Sequence, residues 1–279
     1  MPQYQVRVLE LGFDTAFPAG VAFDFEHMQD VLTSSCFALT LLQGGGHTIL
    51  FDSGIDPYTP FAQEKIALEN DQNCHDTAQV LRSVGVDPAQ VDSVILSHCH
   101  WDHIGGMRFL PNATFYIQRE EVEQWDLALA NADLPDSQRR IINPDDMTRL
   151  HDYIAAGRVV LLDGDIKELF PGISICAASG HSYLQNILLL DCNAGRYAIV
   201  GDAAMRPENF TGTSEKPGFM PNLKFSVGPL REIIRSYRTV MDWVGGDVSH
   251  IVATHDGTRR KRLPTFQSSL GLDVTTICE

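Results

Sequence analysis

Four potential metal ligands are concentrated in one short stretch of this chain. His98, His100, Asp102 and His103 fall within six residues and follow the apolar run 91–96, which has the composition of a buried strand. On an extended backbone His98 and His100 face the same way, and imidazole and carboxylate are ligands that Zn²⁺ and similar cations accept. We therefore predict a metal site at the end of this strand, around which the remaining elements have to be arranged.

The composition is that of a globular protein and argues against a polyanionic partner. The chain has 279 residues, of which 44% are hydrophobic and 20% are charged. Its formal net charge of -15 disfavours binding to DNA, RNA or an anionic membrane, so we expect a small-molecule substrate. The N-terminus lacks the pattern of a signal peptide, and no run of about 18 apolar residues occurs. These features predict a cytoplasmic protein.

The six cysteines are scattered along the chain without CxxC spacing. This pattern predicts reduced thiols rather than a disulfide framework or a thiolate zinc site. Cys99 lies between two of the predicted ligands, but its side chain on an extended segment points away from theirs. We therefore leave Cys99 out of the predicted ligand set.

The hydrophobic periodicity predicts a succession of strands and helices. Residues 3–12 alternate as in a strand with one solvated face, whereas the aromatic segment 13–35 contains Pro and Gly and is predicted to be a loop. The runs 36–42 and 47–51 predict a hairpin. Further strands are predicted at 91–96, 113–117, 159–162, 173–177, 186–190, 197–200 and 251–254, and helices at 57–69, 75–84, 119–131, 144–156 and 228–244. The strands from residue 158 onward suggest a mostly antiparallel meander.

Further ligand types occur where other predicted strands end. His181, Asp202 and His255 each follow such a strand, which raises the number of candidate ligands to seven. One ion could not use all seven, whereas two ions that share a bridging carboxylate could, and such an arrangement activates water for hydrolysis. Asp52 follows the strand 47–51, where it either orients a ligand histidine or forms an ordinary Asx turn.

Together these motifs resemble those of the metallo-β-lactamase superfamily. Residues 98–103 match the family's HxHxDH signature, and Asp-Ser-Gly at 52–54, Gly-His-Ser at 180–182, Gly-Asp at 201–202 and the late His255 follow in the family's order. The resemblance covers about residues 36–256. It implies an α/β (α+β) fold, a four-layer αβ/βα sandwich in which two mixed β-sheets are flanked by helices, formed by a single domain over residues 1–279.

The resemblance also implies how two ions share the ligands. One ion would be held by His98, His100 and His181, the other by Asp102, His103 and His255, and Asp202 would bridge the two. Asp102 would also be catalytic, because it would accept a proton from the metal-bridging hydroxide that acts as nucleophile. The ligand types suit two divalent ions, with Zn²⁺ as the first choice and Mn, Co or Fe as alternatives.

Within the superfamily, the chain looks most like the N-acyl homoserine lactonases and the pyridoxolactonases. His255-Asp256 and Gly201-Asp202-Ala203 carry this likeness, which implies opening of a lactone. Those lactonases have a tyrosine three residues after the bridging aspartate; here the position is Met205, which cannot donate that hydrogen bond. Tyr183 is a candidate replacement. Hydrolysis of a thioester, lactam or phosphotriester is the alternative, and a mononuclear-iron oxidoreductase of the same fold is the third.

Two more regions bear on the substrate and on assembly. The basic cluster 259–262 is either a solvated surface or, through Arg259, a site for a substrate carboxylate, and Arg206 is a second candidate for that role. The aromatic segment 13–35 either lines the pocket, with Phe25 as the candidate contact, or fills the edge of the core, or forms a homodimer interface. We therefore expect a small-molecule substrate, one that carries a carboxylate if these arginines contact it.

Overall fold

The computed structural model describes residues 2–23, 31–212, 217–223 and 226–279. In these ranges strands and helices alternate along the chain. The strands are β1 (Tyr4–Pro18), β2 (Leu32–Gly44), β3 (His47–Phe51), β4 (Ser93–Ile95), β5 (Thr114–Gln118), β6 (Val159–Leu162), β7 (Ile166–Phe170), β8 (Ile173–Ala178), β9 (Gln185–Cys192), β10 (Gly195–Gly201), β11 (Ile251–Ala253), β12 (Thr265–Gln267) and β13 (Asp273–Cys278). The helices are α1 (Ala19–Phe23), α2 (Pro60–Glu69), α3 (Thr77–Ser83), α4 (Trp101–Ile104), α5 (Arg119–Ala130), α6 (Asp136–Arg139), α7 (Pro144–Ala155) and α8 (Leu230–Trp243).

The larger sheet is mixed and has the strand order β12-β13-β1-β2-β3-β4-β5-β6. Strands β12, β13, β1, β2 and β3 pair antiparallel, whereas β3, β4, β5 and β6 pair parallel. Because parallel strands run in the same direction, their carboxyl ends lie at one edge of the sheet. Asp52 follows β3 at this edge, and the stretch 97–103 follows β4.

The smaller sheet has the order β11-β10-β9-β8-β7 and is also mixed. Strands β7 to β10 pair antiparallel in sequence, and β11 pairs parallel with β10. As a result β8, β10 and β11 run in the same direction. The loops that follow these three strands carry His181, Asp202 and His255, so each sheet supplies ligands from the ends of its strands.

Three apolar clusters fill the spaces between four layers. The cluster between the sheets joins Leu42 and Phe51 of the larger sheet to Leu188 of the smaller one. A second cluster packs helices, including Trp125 of α5, on the outer face of the larger sheet. A third packs α8 on the outer face of the smaller sheet through Tyr237. The expected four-layer sandwich of two mixed sheets flanked by helices is confirmed.

The prediction that residues 13–35 form a loop is wrong at both ends of this segment. Strand β1 continues to Pro18 and β2 begins at Leu32, and these two residues lie opposite each other in the antiparallel pair. Phe13 and Phe17 have high strand propensity, which takes effect here because a partner strand lies alongside. Residues 24–30 are outside the described ranges, and the predicted contact Phe25 is among them.

The prediction that strand 159–162 belongs to the antiparallel meander is also wrong. It forms β6, which pairs parallel with β5 at the edge of the larger sheet. The helices α5 to α7 lie between β5 and β6 in the chain, and a helical crossover of this kind joins parallel neighbours. The antiparallel meander therefore begins only at β7.

Helix α8 illustrates how the outer layers attach to the sheets. Its residues Ile233, Tyr237 and Val240 are buried at the i, i+4 and i+7 positions, which form one face of a helix. With 14 residues it is the longest helix in the described part of the chain. No helix in these described ranges has the length and apolarity that crossing a membrane requires.

Candidate metal centre

The strand ends of both sheets bring all seven predicted ligands together. They form two groups whose ligand atoms lie within 4.8 Å of one another in each group. The first group consists of His98, His100, His181 and Asp202, and the second of Asp102, His103 and His255. This division separates the six non-bridging ligands as the family resemblance implies, and Asp202, the implied bridge, falls in the first group.

In the first group, ring nitrogens from the two sheets face each other. Nδ1 of His100 lies 3.0 Å from Nε2 of His181. The same Nε2 lies 3.3 Å from Oδ2 of Asp202. His98 completes the group, and its Nδ1 is engaged by the Ser97 hydroxyl at 2.8 Å, which leaves Nε2 free to bind an ion.

The second group is equally compact. Nε2 of His103 lies 3.4 Å from Oδ2 of Asp102 and 3.4 Å from Oδ1 of Asp202. Nε2 of His255 lies 3.3 Å and 3.2 Å from the same two oxygens. Asp202 thus directs Oδ2 towards the first group and Oδ1 towards the second, which is the placement that a bridging carboxylate needs.

The residues present fit two divalent cations. Among the described side chains, Nε2 of His98, His100 and His103 and Oδ1 of Asp202 are buried without a hydrogen-bond partner. Such groups are costly unless they are paired or bind a metal. Ligands about 2.1 Å from a tetrahedral Zn²⁺ stand roughly 3.4 Å apart, which is close to the separations in both groups. The ligand atoms are therefore spaced as two metal ions would require.

Asp52 supports the second group and the start of the ligand stretch. It is fully buried, and its Oδ1 accepts a hydrogen bond of 2.7 Å from the backbone N–H of Ser97. Its Oδ2 lies 2.8 Å from Nδ1 of His103. This contact places the proton of His103 on Nδ1 and leaves Nε2 as the ligand atom. The structure thus places Asp52 behind a ligand, as expected for a residue that orients a histidine.

Glu121 supports the first group, and our sequence analysis missed it. This fully buried carboxylate of α5 accepts hydrogen bonds from the backbone N–H of Cys99 at 3.0 Å and of Leu184 at 2.9 Å. It also accepts from Nε1 of Trp125 at 2.9 Å and from the Ser182 hydroxyl. The Glu121 side chain therefore joins the loop of His98 and His100 to the loop of His181. The available signal was its position one turn before Trp125, on the apolar face of α5.

A close backbone approach holds the end of the ligand stretch. A Cβ atom on Gly106 would overlap the carbonyl oxygen of Ser53, in the loop that follows β3. The backbone N–H of Ser53 donates to the carbonyl of His103 at 2.8 Å, so the two loops are in direct contact. Only glycine permits this approach.

The two groups differ in the charge that their histidines favour. Burial lowers the pKa of His98 and His100 well below the usual value, and neighbouring histidines lower it further. Burial acts in the same direction on His103 and His255, but nearby carboxylates outweigh it. As a result the pKa of His103 lies well above its usual value and that of His255 rises to about 10. The second group therefore has a stronger attraction for positive charge.

A cavity of about 480 Å³ opens onto the ligands. Its lining includes His100, His181, Asp202, Asp102 and His255 from the two groups. Apolar side chains form much of the remaining wall, namely Phe17, Val21, Phe37, Leu68, Trp101, Ile141 and Met205. This combination of convergent polar groups and apolar walls is typical of a small-molecule site.

The structure separates the two residues considered for the lactonase tyrosine. Met205 lines the cavity and packs with Ala22, Phe23 and Met220. The Tyr183 ring instead packs against Trp125 with a centroid separation of 5.1 Å, and Tyr183 is absent from the described lining of the cavity. The geometry therefore gives Tyr183 a packing role and leaves Met205 beside the site.

Both predicted substrate arginines face the protein interior. Arg206 donates to Oγ1 of Thr33 at 2.8 Å and to the carbonyl of Ser34 at 2.6 Å. Arg259 donates to the carbonyls of Ala253 at 2.9 Å and Thr254 at 3.1 Å, directly before His255. Both guanidinium groups are buried, and neither lines the cavity in its described part. Their bonds hold the adjacent loops in position, so neither the solvated surface nor the substrate contact considered for these arginines describes them.

Comparisons with known proteins identify the family of this chain. A family model described as the Metallo-beta-lactamase superfamily matches residues 31–239. The N-acyl homoserine lactonase AiiA of Bacillus thuringiensis subsp. kurstaki is 26% identical over 174 residues, which are 61% of this chain and 61% of that protein. The N-acyl homoserine lactonase AttM of Azorhizobium caulinodans is 29% identical over 211 residues, 72% of this chain and 68% of that protein. The chain thus spans 61% of the length of the Bacillus thuringiensis relatives.

Solved structures show the same fold. An N-acyl homoserine lactone hydrolase with the product N-hexanoyl-L-homoserine at its catalytic metal centre has a TM-score of 0.63 at 20% identity, covering 93% of this chain and 96% of that one. AidC, a dizinc quorum-quenching lactonase in complex with a product, has a TM-score of 0.64 at 17% identity, covering 99% and 95%. At these identities the likeness establishes the arrangement of sheets and helices.

Proposed function

Because this chain belongs to the metallo-beta-lactamase superfamily, we propose that it is a dinuclear metal-dependent hydrolase that opens a lactone. The observation that carries the proposal is the position of Asp202 between the two ligand groups. Its Oδ2 lies 3.3 Å from His181 of the first group and its Oδ1 lies 3.2 Å from His255 of the second. A single-iron oxidoreductase would have no use for the second group, so this arrangement favours the hydrolase.

The seven ligands would hold two divalent ions, one in each group, with Asp202 shared. When bound, such ions polarise an ester carbonyl and lower the pKa of water towards neutrality. Zn²⁺ is the ion we propose, because imidazole and carboxylate are its ordinary ligands, and Mn, Co and Fe are the alternatives. AidC, which has the same fold, is described as a dizinc lactonase, and this supports the choice of Zn²⁺.

The side chains of the cavity would perform the remaining tasks. The apolar walls at Phe37, Trp101 and Ile141 would receive the lactone ring and exclude bulk water from it. Asp102 lines the cavity with its Oδ2 between Nε2 of His103 and Nε2 of His255. We propose that the Asp102 carboxylate accepts the proton that the attacking water loses and returns it to the departing alkoxide.

The choice of a lactone rests on the relatives, which are named N-acyl homoserine lactonases. Met205 argues for a lactone other than an N-acyl homoserine lactone, because its thioether cannot donate a hydrogen bond to a substrate carbonyl at this wall of the cavity. Thioesters, lactams and phosphotriesters stay as the alternative substrates of the same centre. We therefore propose lactone opening as the reaction without assigning an acyl homoserine side chain.

The test is a substrate panel with protein loaded separately with Zn²⁺, Mn²⁺, Co²⁺ and Fe²⁺. We expect γ-lactones to be opened, which is followed as acid release, and we expect matched thioesters, lactams and phosphotriesters to react at least about tenfold more slowly. Turnover of a different ester class with no turnover of any lactone would contradict the lactone proposal. Failure with every substrate at full metal loading would contradict the hydrolase proposal.

Two further predictions concern assembly and location. The segment 13–35 exposes Val31 and Leu32, at 48% and 61% of their surface, next to the cavity wall. The homodimer stays a prediction from the sequence, and light scattering of the full chain would test it. The cytoplasmic location stays a prediction from the sequence.

A further inference from the structure

The mouth of the cavity is lined by carboxylates that hold no metal in our assignment. Asp14 of β1, Glu69 at the end of α2 and Asp71 just beyond it line the cavity together with Asp102 and Asp202. No lysine or arginine belongs to the lining in the described part of the chain. The entrance thus has a negative charge that the ligand groups do not explain.

The backbone places two of these carboxylates directly opposite each other. Phe13 and Gln72 form an antiparallel bridge, with N–H to carbonyl distances of 3.0 Å and 2.8 Å. In an antiparallel pair the next residues, Asp14 and Asp71, are then cross-strand neighbours. Like charges in that position are destabilising.

The end of helix α2 adds Glu69 to this pair. Asn70 has a left-handed φ of 59°, and the N–H of Asp71 donates to the carbonyl of Ile66 at 3.0 Å, so the chain turns sharply. This turn lets both Glu69 and Asp71 line the cavity. The carboxyl end of a helix also has a partial negative charge, which strengthens the negative potential there.

These carboxylates have few partners within the described residues. Oδ2 of Asp71 is buried without a hydrogen-bond partner there. Asp14 accepts one local bond, from the backbone N–H of Ala16 at 2.7 Å. Burial and the charges of Glu69 and Asp14 raise the pKa of Asp71 to about 7. The protein therefore maintains a repulsive arrangement that a cation would relieve.

From this arrangement we propose that the substrate carries an ammonium group, which lies among Asp14, Glu69 and Asp71 while its ester carbonyl reaches the metal ligands. This inference rests on the proposed hydrolase function and names its substrate class. It replaces the carboxylate expected from the sequence, whose candidate partners Arg206 and Arg259 face the interior. The cavity then has a positive inner end once the ions are bound and a negative mouth.

The test uses γ-lactones with identical rings and side chains that end in an ammonium, a hydroxyl or a carboxylate. We expect kcat/KM to be about tenfold higher for the ammonium than for the hydroxyl compound, and lowest for the carboxylate. In the double variant E69Q/D71N, the ratio of kcat/KM for the ammonium compound to that for the hydroxyl compound should fall about tenfold. Glu64→Gln, an exposed position on the same helix, is the matched control and should leave the preference unchanged.

A binding measurement separates this inference from the proposed function. Calorimetry with γ-lactams that carry the same three side chains needs no turnover, and the ammonium compound should again bind about tenfold more tightly than the hydroxyl compound. Lactone turnover with equal affinity for the two lactams would overturn the inference and leave the hydrolase standing. An ammonium preference without lactone turnover would support the inference about the pocket and contradict the proposed reaction.

Discussion

Two sets of carboxylates surround the same cavity and differ in how many partners they have. Behind the metal ligands, Asp52 and Glu121 are fully buried, and their oxygens accept hydrogen bonds from two and four donors. At the mouth, Glu69 and Asp71 have no partner of this kind in the described residues, and Asp14 has one local bond. The first set holds other residues in place, while the second set has few hydrogen-bond donors among the described residues.

The difference shows why burial alone does not identify a functional carboxylate. A buried carboxylate is tolerated when several N–H and O–H groups satisfy it, and removing it leaves those donors unpaired. A carboxylate without partners keeps its capacity to bind a cation. Changes to Asp52 or Glu121 should therefore affect metal binding. Changes to Asp14, Glu69 or Asp71 should affect the preference for a substrate of a given charge.

The largest effect should come from Asp202, the ligand that both groups share. Asp202→Ala removes an oxygen from each group, so we expect the metal content to fall below two ions per chain. We also expect kcat/KM on a γ-lactone to fall more than about a thousandfold. Metal analysis and steady-state kinetics measure both. Two retained ions would show that Asp202 does not bridge.

Asp52→Asn should have the next largest effect, because it moves the proton of the ligand His103 from one ring nitrogen to the other. The new amide would donate to Nδ1 of His103, whose proton would then be on Nε2, the atom that faces Asp102 and Asp202. We expect metal affinity to fall about a hundredfold in chelator competition. Asp92→Asn, which alters the Asp92–His47 pair at the protein surface, is the control. Equal losses in both variants would contradict the assigned role of Asp52.

Glu121→Gln should weaken metal binding less, by about tenfold. Glu121 bonds the backbone of the ligand loops and does not contact a ligand atom itself. One oxygen becomes an NH₂ group, which opposes the N–H of Cys99 if it replaces Oε1 or the N–H of Leu184 if it replaces Oε2, and either clash loosens a loop of the first group. Chelator competition measures the loss. Glu120→Gln, an exposed neighbour, should behave like the unmodified protein. If both variants bind metal alike, Glu121 does not position the first group.

The smallest effect concerns how the preference for an ammonium compound depends on pH through Asp71. The pKa of Asp71 is raised to about 7, so this carboxyl is neutral below that pH and charged above it. Burial raises the pKa of Asp71 most, the charges of Glu69, Asp14 and Asp102 raise it further, and His255 lowers it. The preference for the ammonium γ-lactam over the hydroxyl γ-lactam should therefore grow about threefold between roughly pH 6 and pH 8. Asp71→Asn should flatten this pH dependence. An affinity ratio of the two lactams that stays constant with pH in the unmodified protein would contradict the prediction.

The sequence predicts the ligands better than their surroundings. His98 to His103 lie close together in the chain, and His181, Asp202 and His255 follow recognisable strands, so spacing and strand ends suffice to find them. Glu121 lies in a charged run, Arg-Glu-Glu, and its position one turn before Trp125 is the one hint in the sequence that it points inward. The pairing of Asp14 with Asp71 depends on the bridge between Phe13 and Gln72, which local patterns do not reveal.

The arginines failed as predicted substrate contacts for a related reason. Charge runs indicate a surface, yet Arg259 is 3% exposed because its guanidinium satisfies backbone carbonyls before His255. The extension of β1 to Pro18 was likewise hidden, since it depends on the partner strand β2 and not on residues 13–18 alone. Long-range pairing decided each of these cases.

The central claim is that this chain holds two ions that share Asp202. The most direct measurement is the number of metal ions per chain after loading with Zn²⁺ and removal of free metal by dialysis. We predict two Zn²⁺ ions per chain in the unmodified protein. One ion per chain at saturation would contradict the account, because the ligand group formed by Asp102, His103 and His255 would then have no metal to bind.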